Sequence, residues 1–409
     1  MLLTIEHPEL LPHLDKLGYG LQPVYHAGRG RYFLVVKATK EVILTARLNR
    51  EFKIYLLGDK QGPGEQLGFI TAFFDDPDEP LTIKSPQFTD DDLLKGLTGL
   101  FGQSDFDIYF FDEHNREMMG VHAHHADAER FRETMANATF PVYSYETFPS
   151  IIRRLDDRFG VRDEKDDAEA FTIQLGENLY PDNFVHLDAR DDAYQFQGSD
   201  RCIAMTCLER EEPGSFQERD IAMLLGRVFQ AEHIYLNPVR DDTGKELTDV
   251  LVYTDEIMMF VQAKDSPNTE AALRRTVERK RLAIRAHIAK ASKQVKGAIA
   301  HAAKAREVLI RTSTSPITLR VDQRQLLGMV VVQEMFDDDY AACSAPVIKT
   351  IRTLNKPAIL LDYSGLHIMA QNLRTPASFI RGLGRMFKMA IDNDEFPKPV
   401  HFGPPQDGN

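Results

Sequence analysis

Glu218-Arg-Asp-Ile-Ala-Met-Leu-Leu225, Thr248-Asp-Val-Leu-Val-Tyr253 and Ile257-Met-Met-Phe-Val-Gln-Ala-Lys264 decide how the second half of this chain reads. The last two runs are apolar and β-type, and they flank the polar triplet Thr254-Asp255-Glu256, so they predict a hairpin. Centring the turn between Asp255 and Glu256 sets Val250 opposite Val261 and Asp249 opposite Gln262. Residues two apart on a strand share a face, and so do directly paired residues. Asp249, Gln262 and Lys264 are therefore expected to meet at one end of the hairpin.

Such a trio suits phosphodiester hydrolysis, in which a divalent cation polarises the phosphate and lowers the pKa of water. Magnesium takes oxygen ligands and draws only one or two of them from carboxylates. Asp249 offers a carboxylate, Gln262 an amide oxygen and Ala263 a backbone carbonyl. Lys264 would position the water or stabilise charge developing on phosphate. Glu218, on a preceding helix, would complete the outer shell through water. A surface hairpin carrying three unrelated polar residues has the same local sequence, so the context has to separate the two.

In that context, a helix bearing Glu218 precedes a hairpin bearing Asp249 and the tripeptide Gln262-Ala263-Lys264, with a further helix after it. This order resembles the PD-(D/E)xK nuclease superfamily. The glutamine at the acidic position resembles the Mrr-type restriction endonucleases, and Glu218-x-x-Ile221-Ala222 is similar to the helix start of nuclease-related domains. The resemblance covers Pro213 to Pro397, with Phe229–Pro238 as the first strand leading into a turn at Asp241–Gly244. It implies a restriction-endonuclease-like α/β domain with a central mixed sheet. It further implies catalytic roles for Asp249, Gln262, Lys264 and Glu218, with Mg2+ or Mn2+ held by Asp249, Gln262 and Glu218. The implied substrate is nucleic acid, DNA before RNA, in restriction or phage defence; a homodimer would cut both strands in one event. Gln262 removes one negative charge relative to a carboxylate, so the metal should bind more weakly. The alternative is a catalytically degenerate module that binds nucleic acid or a protein through its basic helix.

Charge gives independent support for a nucleic-acid partner. Between Glu270 and Arg311 stand 12 Lys or Arg and 3 Asp or Glu, about +9 within a chain of formal charge −13. A concentrated basic element in an acidic protein directs the field at one place. An apolar line through Leu273, Val277, Ile284, Ile288, Val295 and Ile299 predicts a helix, either one long element or two broken near Ser292 or Gly297. Arg274, Arg275, Arg279, Lys280, Arg281, Arg285, Lys290, Lys293 and Lys296 flank that line as candidate phosphate contacts. A solvated helix surface would look the same. The nuclease resemblance adds Gln294 as a candidate on this helix.

The chain has 409 residues, 43% hydrophobic and 27% charged, enough for two or three domains of an ordinary globular protein. The expected organisation is an α+β domain over 1–155, an acidic connecting segment over 156–205, the nuclease-like α/β domain over 206–402, and a tail over 403–409. Expected strands of the first domain are Arg31–Ala38, Glu41–Leu48, Phe52–Leu57, Gly68–Phe74 and Asp107–Phe111; expected helices are Thr89–Phe101 and Asp127–Ala136. The connecting segment is inferred from 12 Asp or Glu against 4 Lys or Arg over Asp156–Asp192. Beyond the basic helix, Ile317–Val321, Met329–Gln333 and Ala358–Leu361 read as buried strands extending the nuclease sheet. Ala345–Leu354 and Phe379–Ile391 read as helices, and Asp362 reads as a helix cap ahead of the alternative, a second functional carboxylate.

Several signals are weighed and set lower. His122, His124, His125 and Asp127 hold zinc-type donors, but their spacing fits surface residues near a helix start better. Gly58–Gly64 is glycine-rich yet lacks the phosphate-cradling lysine motif, so a loop is expected. Cys202, Cys207 and Cys343 form no metal or disulfide pattern. The N-terminal residues lack a signal-peptide pattern and no run approaches 18 apolar residues, so a cytoplasmic protein without a membrane partner is expected.

Overall fold

A computed structural model describes residues 2–58, 65–89, 91–181, 185–188, 190, 195–199, 204–312 and 316–399. The fold mixes α and β, with thirteen α-helices and eighteen strands among those residues. No described helix is long and apolar enough to cross a membrane. The chain divides into two compact units: Met1–His186, Cys207–Glu209 and Asn268–Arg274 form unit 1, and Leu187–Thr206, Arg210–Pro267 and Arg275–Asn409 form unit 2.

Unit 1 begins with two single-turn helices, α1 (Leu3–Glu6) and α2 (Leu11–Leu14). Its strands are β1 (Gly20–His26), β2 (Arg31–Lys37), β3 (Glu51–Gly58), β4 (Gln66–Phe73), β5 (Leu81–Pro86), β6 (Asp105–Phe111), β7 (Glu117–His124) and β8 (Phe171–Asn178). They form one sheet in the order β1-β2-β6-β7-β8-β3-β4-β5, antiparallel except for the β2–β6 pair. Helices α3 (Lys40–Asn49), α4 (Asp92–Phe101), α5 (Ala128–Asn137), α6 (Phe148–Gly160), α7 (Glu164–Glu169) and α9 (Glu270–Leu273) complete it.

Two expectations for unit 1 are corrected. Glu41–Leu48 is not a strand but most of α3, whose residues Glu41 to Arg47 are all buried. A helix buried on every side shows no 3.6-residue apolar stripe, so its run of Val, Ile, Leu and Thr imitates a strand. The acidic stretch over 156–205 is not simply a connector, because it carries α7 and then β8, which lies between β7 and β3 in the sheet. Asp163 opens α7 with a capping box to Asp166, so two of its acids are cap residues. Phe171, Ile173 and Leu175 are buried in alternation with polar neighbours along β8. Residues 59–64 of the glycine-rich segment, Cys202 and the tail from 400 lie outside the described residues.

Unit 2 is built on a five-stranded sheet: β11 (Ile234–Leu236), β13 (Val250–Tyr253), β14 (Ile257–Lys264), β17 (Gln325–Val332) and β18 (Ala358–Asp362), in that order. The first three are antiparallel, and β14, β17 and β18 are parallel. The three parallel strands are buried along almost their whole length, as strands covered on both faces are. Helix α8 (Gly214–Gly226) packs on β11, β13 and β14; α10 (Val277–Ala302) packs on β14 and β17; α11 (Tyr340–Leu354), α12 (Tyr363–Asn372) and α13 (Pro376–Asn393) follow. A separate small sheet joins β12 (Val239–Arg240), β15 (Glu307–Arg311) and β16 (Pro316–Arg320), while β9 (His186–Asp188) and β10 (Ala204–Thr206) pair by themselves.

Here the Ile317–Val321 expectation is corrected, since that strand, β16, pairs with β15 and not with the central sheet. Only Leu319 of β16 is buried, and one buried position cannot serve a strand covered on both faces. The basic segment is neither one helix nor two broken at Ser292 or Gly297. It breaks at Arg274–Thr276, between α9 in unit 1 and the 26-residue α10 in unit 2, and it ends as strand β15. All six residues of the expected apolar line are buried. Ser292 and Gly297 lie within α10, where continuous helix carries them.

Candidate functional site

The site is built on the β13–β14 hairpin. Thr254 closes its turn: its N–H donates to the Ile257 carbonyl at 3.0 Å, and its hydroxyl accepts the Glu256 and Ile257 amides, both at 3.2 Å. That turn sets Val250 against Val261, the register expected from sequence. Asp249 immediately precedes β13 and faces the end of β14. Its Oδ1 accepts Gln262 Nε2 at 2.9 Å, and its Oδ2 accepts the Ala263 amide at 2.6 Å. Lys264 Nζ lies 3.4 Å from Asp249 Oδ2 and donates to the Ala263 carbonyl at 2.6 Å. Thr248 braces the group, donating to the Val261 carbonyl at 2.7 Å and lying 3.3 Å from Gln262 Nε2. Asp249 and Gln262 are buried, and Lys264 is partly so.

Helix α8 brings Glu218 to the same place. Asn237 ties the two elements: its side chain donates to Glu218 Oε2 at 3.0 Å and its backbone N–H to the Asp249 carbonyl at 2.8 Å. It sits in the left-handed region (φ 47°), which asparagine tolerates better than most residues. Burial raises the Glu218 pKa, and the Asp249 charge adds to it against the Asn237 bond and the Lys264 charge. Glu246 joins the group. Burial of its carboxyl, and then the nearness and charge of Asp249 and the charge of Glu218, push its pKa up to about 8, with Lys264 opposing. Much of the Glu246 residue is nevertheless exposed, so its place beside Asp249 rests on that electrostatic interaction. From α10, His287 is held below its ordinary value by burial and then by the charges of Lys264 and Lys290, which puts these three groups within electrostatic reach of one another.

Glu218, Asp249, Gln262 and Lys264 are thus brought together. The sequence reading missed Glu246, Asn237 and His287. A carboxylate three residues before Asp249 was the available sign of Glu246. The other two depend on where a loop and a helix face come to rest.

Oxygen donors at this end of the hairpin are of mixed kind. Gln262 Oε1 is buried without a hydrogen-bond partner among the described residues, while its Nε2 is used by Asp249. Among the described residues no group of three or more His, Cys, Asp or Glu is placed to hold a metal ion. Any cation here would therefore have to use amide and backbone oxygens beside the carboxylate.

The nine basic candidates separate. Arg274 lies in unit 1 and pairs with Glu270 at 2.7 Å. Arg281 and Arg285 bind Asp338 and Asp339. Lys280 lies among further electrostatic partners. Arg275, Arg279, Lys290, Lys293 and Lys296 have no ion pair among the described residues, and all but the half-buried Lys296 are exposed. Gln294 is exposed on α10.

The remaining candidates find separate partners. Asp362 caps α12, accepting the Gly365 amide at 2.7 Å, as expected. His122 bonds Asp107 at 2.6 Å, His124 bonds Asp105 at 3.0 Å, and buried His125 bonds the Phe101 carbonyl at 2.7 Å. Cys207 and Cys343 are free thiols. Comparison with protein-family models, curated proteins and solved structures returns no match to this chain.

Proposed function

We propose that unit 2 is a metal-dependent endonuclease acting on nucleic-acid phosphodiesters, with DNA as the substrate and restriction or phage defence as the setting. The observation that carries this reading is the convergence of Asp249, Gln262, the Ala263 carbonyl and Lys264 at the end of β14, beside Glu218 and Glu246. The order α8, β11, β13, β14, α10 in a mixed sheet supports the reading, since the PD-(D/E)xK resemblance implies a helix, a strand and hairpin, and a further helix.

Mg2+ or Mn2+ fits the donor set on two grounds. Gln262 Oε1 is a buried oxygen lacking a partner, which costs about 1–3 kcal/mol until something positive reaches it. Burial first, and the charges of neighbouring carboxylates after it, raise the pKa of Glu218 and Glu246, and a divalent cation would relieve the repulsive part. Asp249, Gln262 and Ala263 would hold the ion, with Glu218 behind them. When bound, it supplies Lewis-acid polarisation of the phosphate and acidifies water. The chain's own groups do the rest. Lys264 stabilises charge developing on phosphate, Asn237 keeps Glu218 against the hairpin, and the unpaired cations of α10 hold the substrate backbone.

The test is cleavage of plasmid and linear DNA with magnesium, manganese or EDTA, comparing wild type with Lys264→Ala. Metal-dependent cutting that disappears in the variant is expected; equal cutting by both removes the site assignment. The second reading is a degenerate module that binds nucleic acid or a protein through α10. It is favoured by the absence, among the described residues, of three metal-type side chains in one cluster. It predicts salt-sensitive binding that needs no metal and survives Asp249→Asn.

A further inference from the structure

We infer that Lys264 is an internal cation lock: its ammonium group occupies the oxygens a divalent ion would need, and it must be displaced before the site can act. The inference rests on the metal-site reading of unit 2. Lys264 Nζ donates to the Ala263 carbonyl at 2.6 Å and stands 3.4 Å from Asp249 Oδ2. Those oxygens belong to two of the three donor groups, Ala263 and Asp249, so a single ammonium already stands at both. The side chain is folded back onto the residue before it instead of reaching outward, and it is only 19% exposed. Nearby carboxylates hold it there, since its charge acts on both Glu218 and Glu246.

A divalent ion on the same oxygens would sit about 2.0–2.1 Å from each, leaving no room for Nζ. Two positive charges at such range repel strongly. The displaced ammonium does not find an empty anionic surface, because α10 presents His287 and the Lys290 charge to it. It settles best where an anion is shared between Lys264 and Lys290, as a phosphodiester would be. Divalent ion and nucleic acid should accordingly bind with positive cooperativity, and the free protein should resist stray metal. The lock thereby explains how the site can hold a divalent ion only weakly until substrate arrives.

The test uses the full chain and Ca2+ as the probe ion. Reductive methylation of Lys264, read by mass spectrometry with and without Ca2+, reports its release without any need for activity. Calorimetry then compares Ca2+ binding by wild type, Lys264→Met, Lys290→Met and Asp249→Asn. Lys264 labelling should rise severalfold with Ca2+. Lys264→Met should tighten Ca2+ on the order of tenfold, the equivalent of about 1.4 kcal/mol, whereas Lys290→Met, which removes a like charge that touches no donor oxygen, should change it no more than about twofold. If Ca2+ binds in an Asp249-dependent way but leaves Lys264 labelling unchanged, the lock is wrong and the metal site stands. If Ca2+ binds neither wild type nor Lys264→Met, the metal-site reading falls and takes the lock with it.

Discussion

Gly328 lies on β17 where α10 crosses the sheet, and substituting it by alanine should loosen the docking that places the basic helix. A Cβ at this position would lie 2.3 Å from Val295 Cγ1, 3.1 Å from Ile299 Cδ1 and 3.2 Å from Ala358 Cβ. Ordinary carbon contacts stand at about 3.5–4.0 Å, so Val295 must retreat by more than 1 Å. It cannot simply turn aside. A β-branched side chain on a helix has one strongly preferred rotamer, and Val295 is fully buried. The helix itself has to lift. Overpacking of this kind costs about 1–3 kcal/mol, and the strand gains back about 0.5–1 kcal/mol from replacing glycine; with a contact as close as this one the net loss belongs in the upper half of the resulting range of about 0–2.5 kcal/mol. Urea unfolding followed by circular dichroism measures it, with hydrogen exchange of peptides from β14 and β17 assigning the transition to unit 2. Val295→Ala opens the space the new methyl needs, so the double variant should lose less than the sum of the two single losses. An unshifted transition for Gly328→Ala, or additive losses within about 0.5 kcal/mol, would refute the packing argument.

Three further outcomes are expected. Asp249→Asn removes the negative charge and leaves one oxygen where two accept the Ala263, Gln262 and Lys264 bonds, and should abolish metal-dependent cutting while the hairpin still exchanges slowly; retained cutting would place the site elsewhere. Glu113 in unit 1 is buried, and burial followed by the Asp112 charge pushes its pKa from the ordinary 4.5 up to about 8. Its protonated form is the one the fold prefers, so this stability is complete below about 4.5 and is lost as pH rises through about 8. Glu113→Gln should flatten that loss, and unit 1 transitions of wild type and variant that fall in parallel between pH 5 and 9 would contradict it. Replacing Lys290 and Lys293 together by alanine should lower the slope of log K against log salt for DNA by about 1–2. Arg285→Ala should leave that slope alone and lower stability, since it strands the Asp339 carboxylate; the reverse pattern in filter-binding and unfolding measurements would overturn the division.

The hairpin was legible because its turn and its pairing are local. Thr254-Asp255-Glu256 interrupts two apolar runs, and once the turn is centred every partner follows, including the meeting of Asp249 with Gln262. The apolar line of α10 was legible for a similar reason, since a helix with one buried side repeats every three to four residues. What failed was of two kinds. Elements buried on all sides lose their period, as α3 did, and isolated strands resemble central ones until their partners are known, as β16 did. The site was legible in its strand-borne part and in Glu218, which the order of elements placed on the preceding helix. Asn237 reaches Glu218 because of a left-handed backbone at one loop residue, and Glu246 reaches Asp249 because the chain returns after the Asp241–Gly244 turn to bridge Val239. Neither is encoded as a spacing.

The charge run shows most clearly why composition overstates a binding surface. Its excess of about +9 over Glu270–Arg311 would suggest a continuous phosphate track. The fold divides that track. Arg274 serves unit 1, Arg281 and Arg285 neutralise Asp338 and Asp339 ahead of α11, and Arg311 pairs with Asp241. On α10 the remaining cations are Arg279 near its start and Lys290, Lys293 and Lys296 in its second half, beside Lys280. The three lysines rise by about 4.5 Å per step and spread over about a third of the helix circumference. That patch is short, and one member, Lys290, has a charge that acts on His287 together with that of Lys264. The charge that survives pairing at Lys290 thus shares His287 with that of Lys264 at the end of β14. A substrate drawn by it would arrive with a phosphate at Lys290 and Lys264, and binding that depended instead on Arg281 or Arg285 would require two ion pairs to open first.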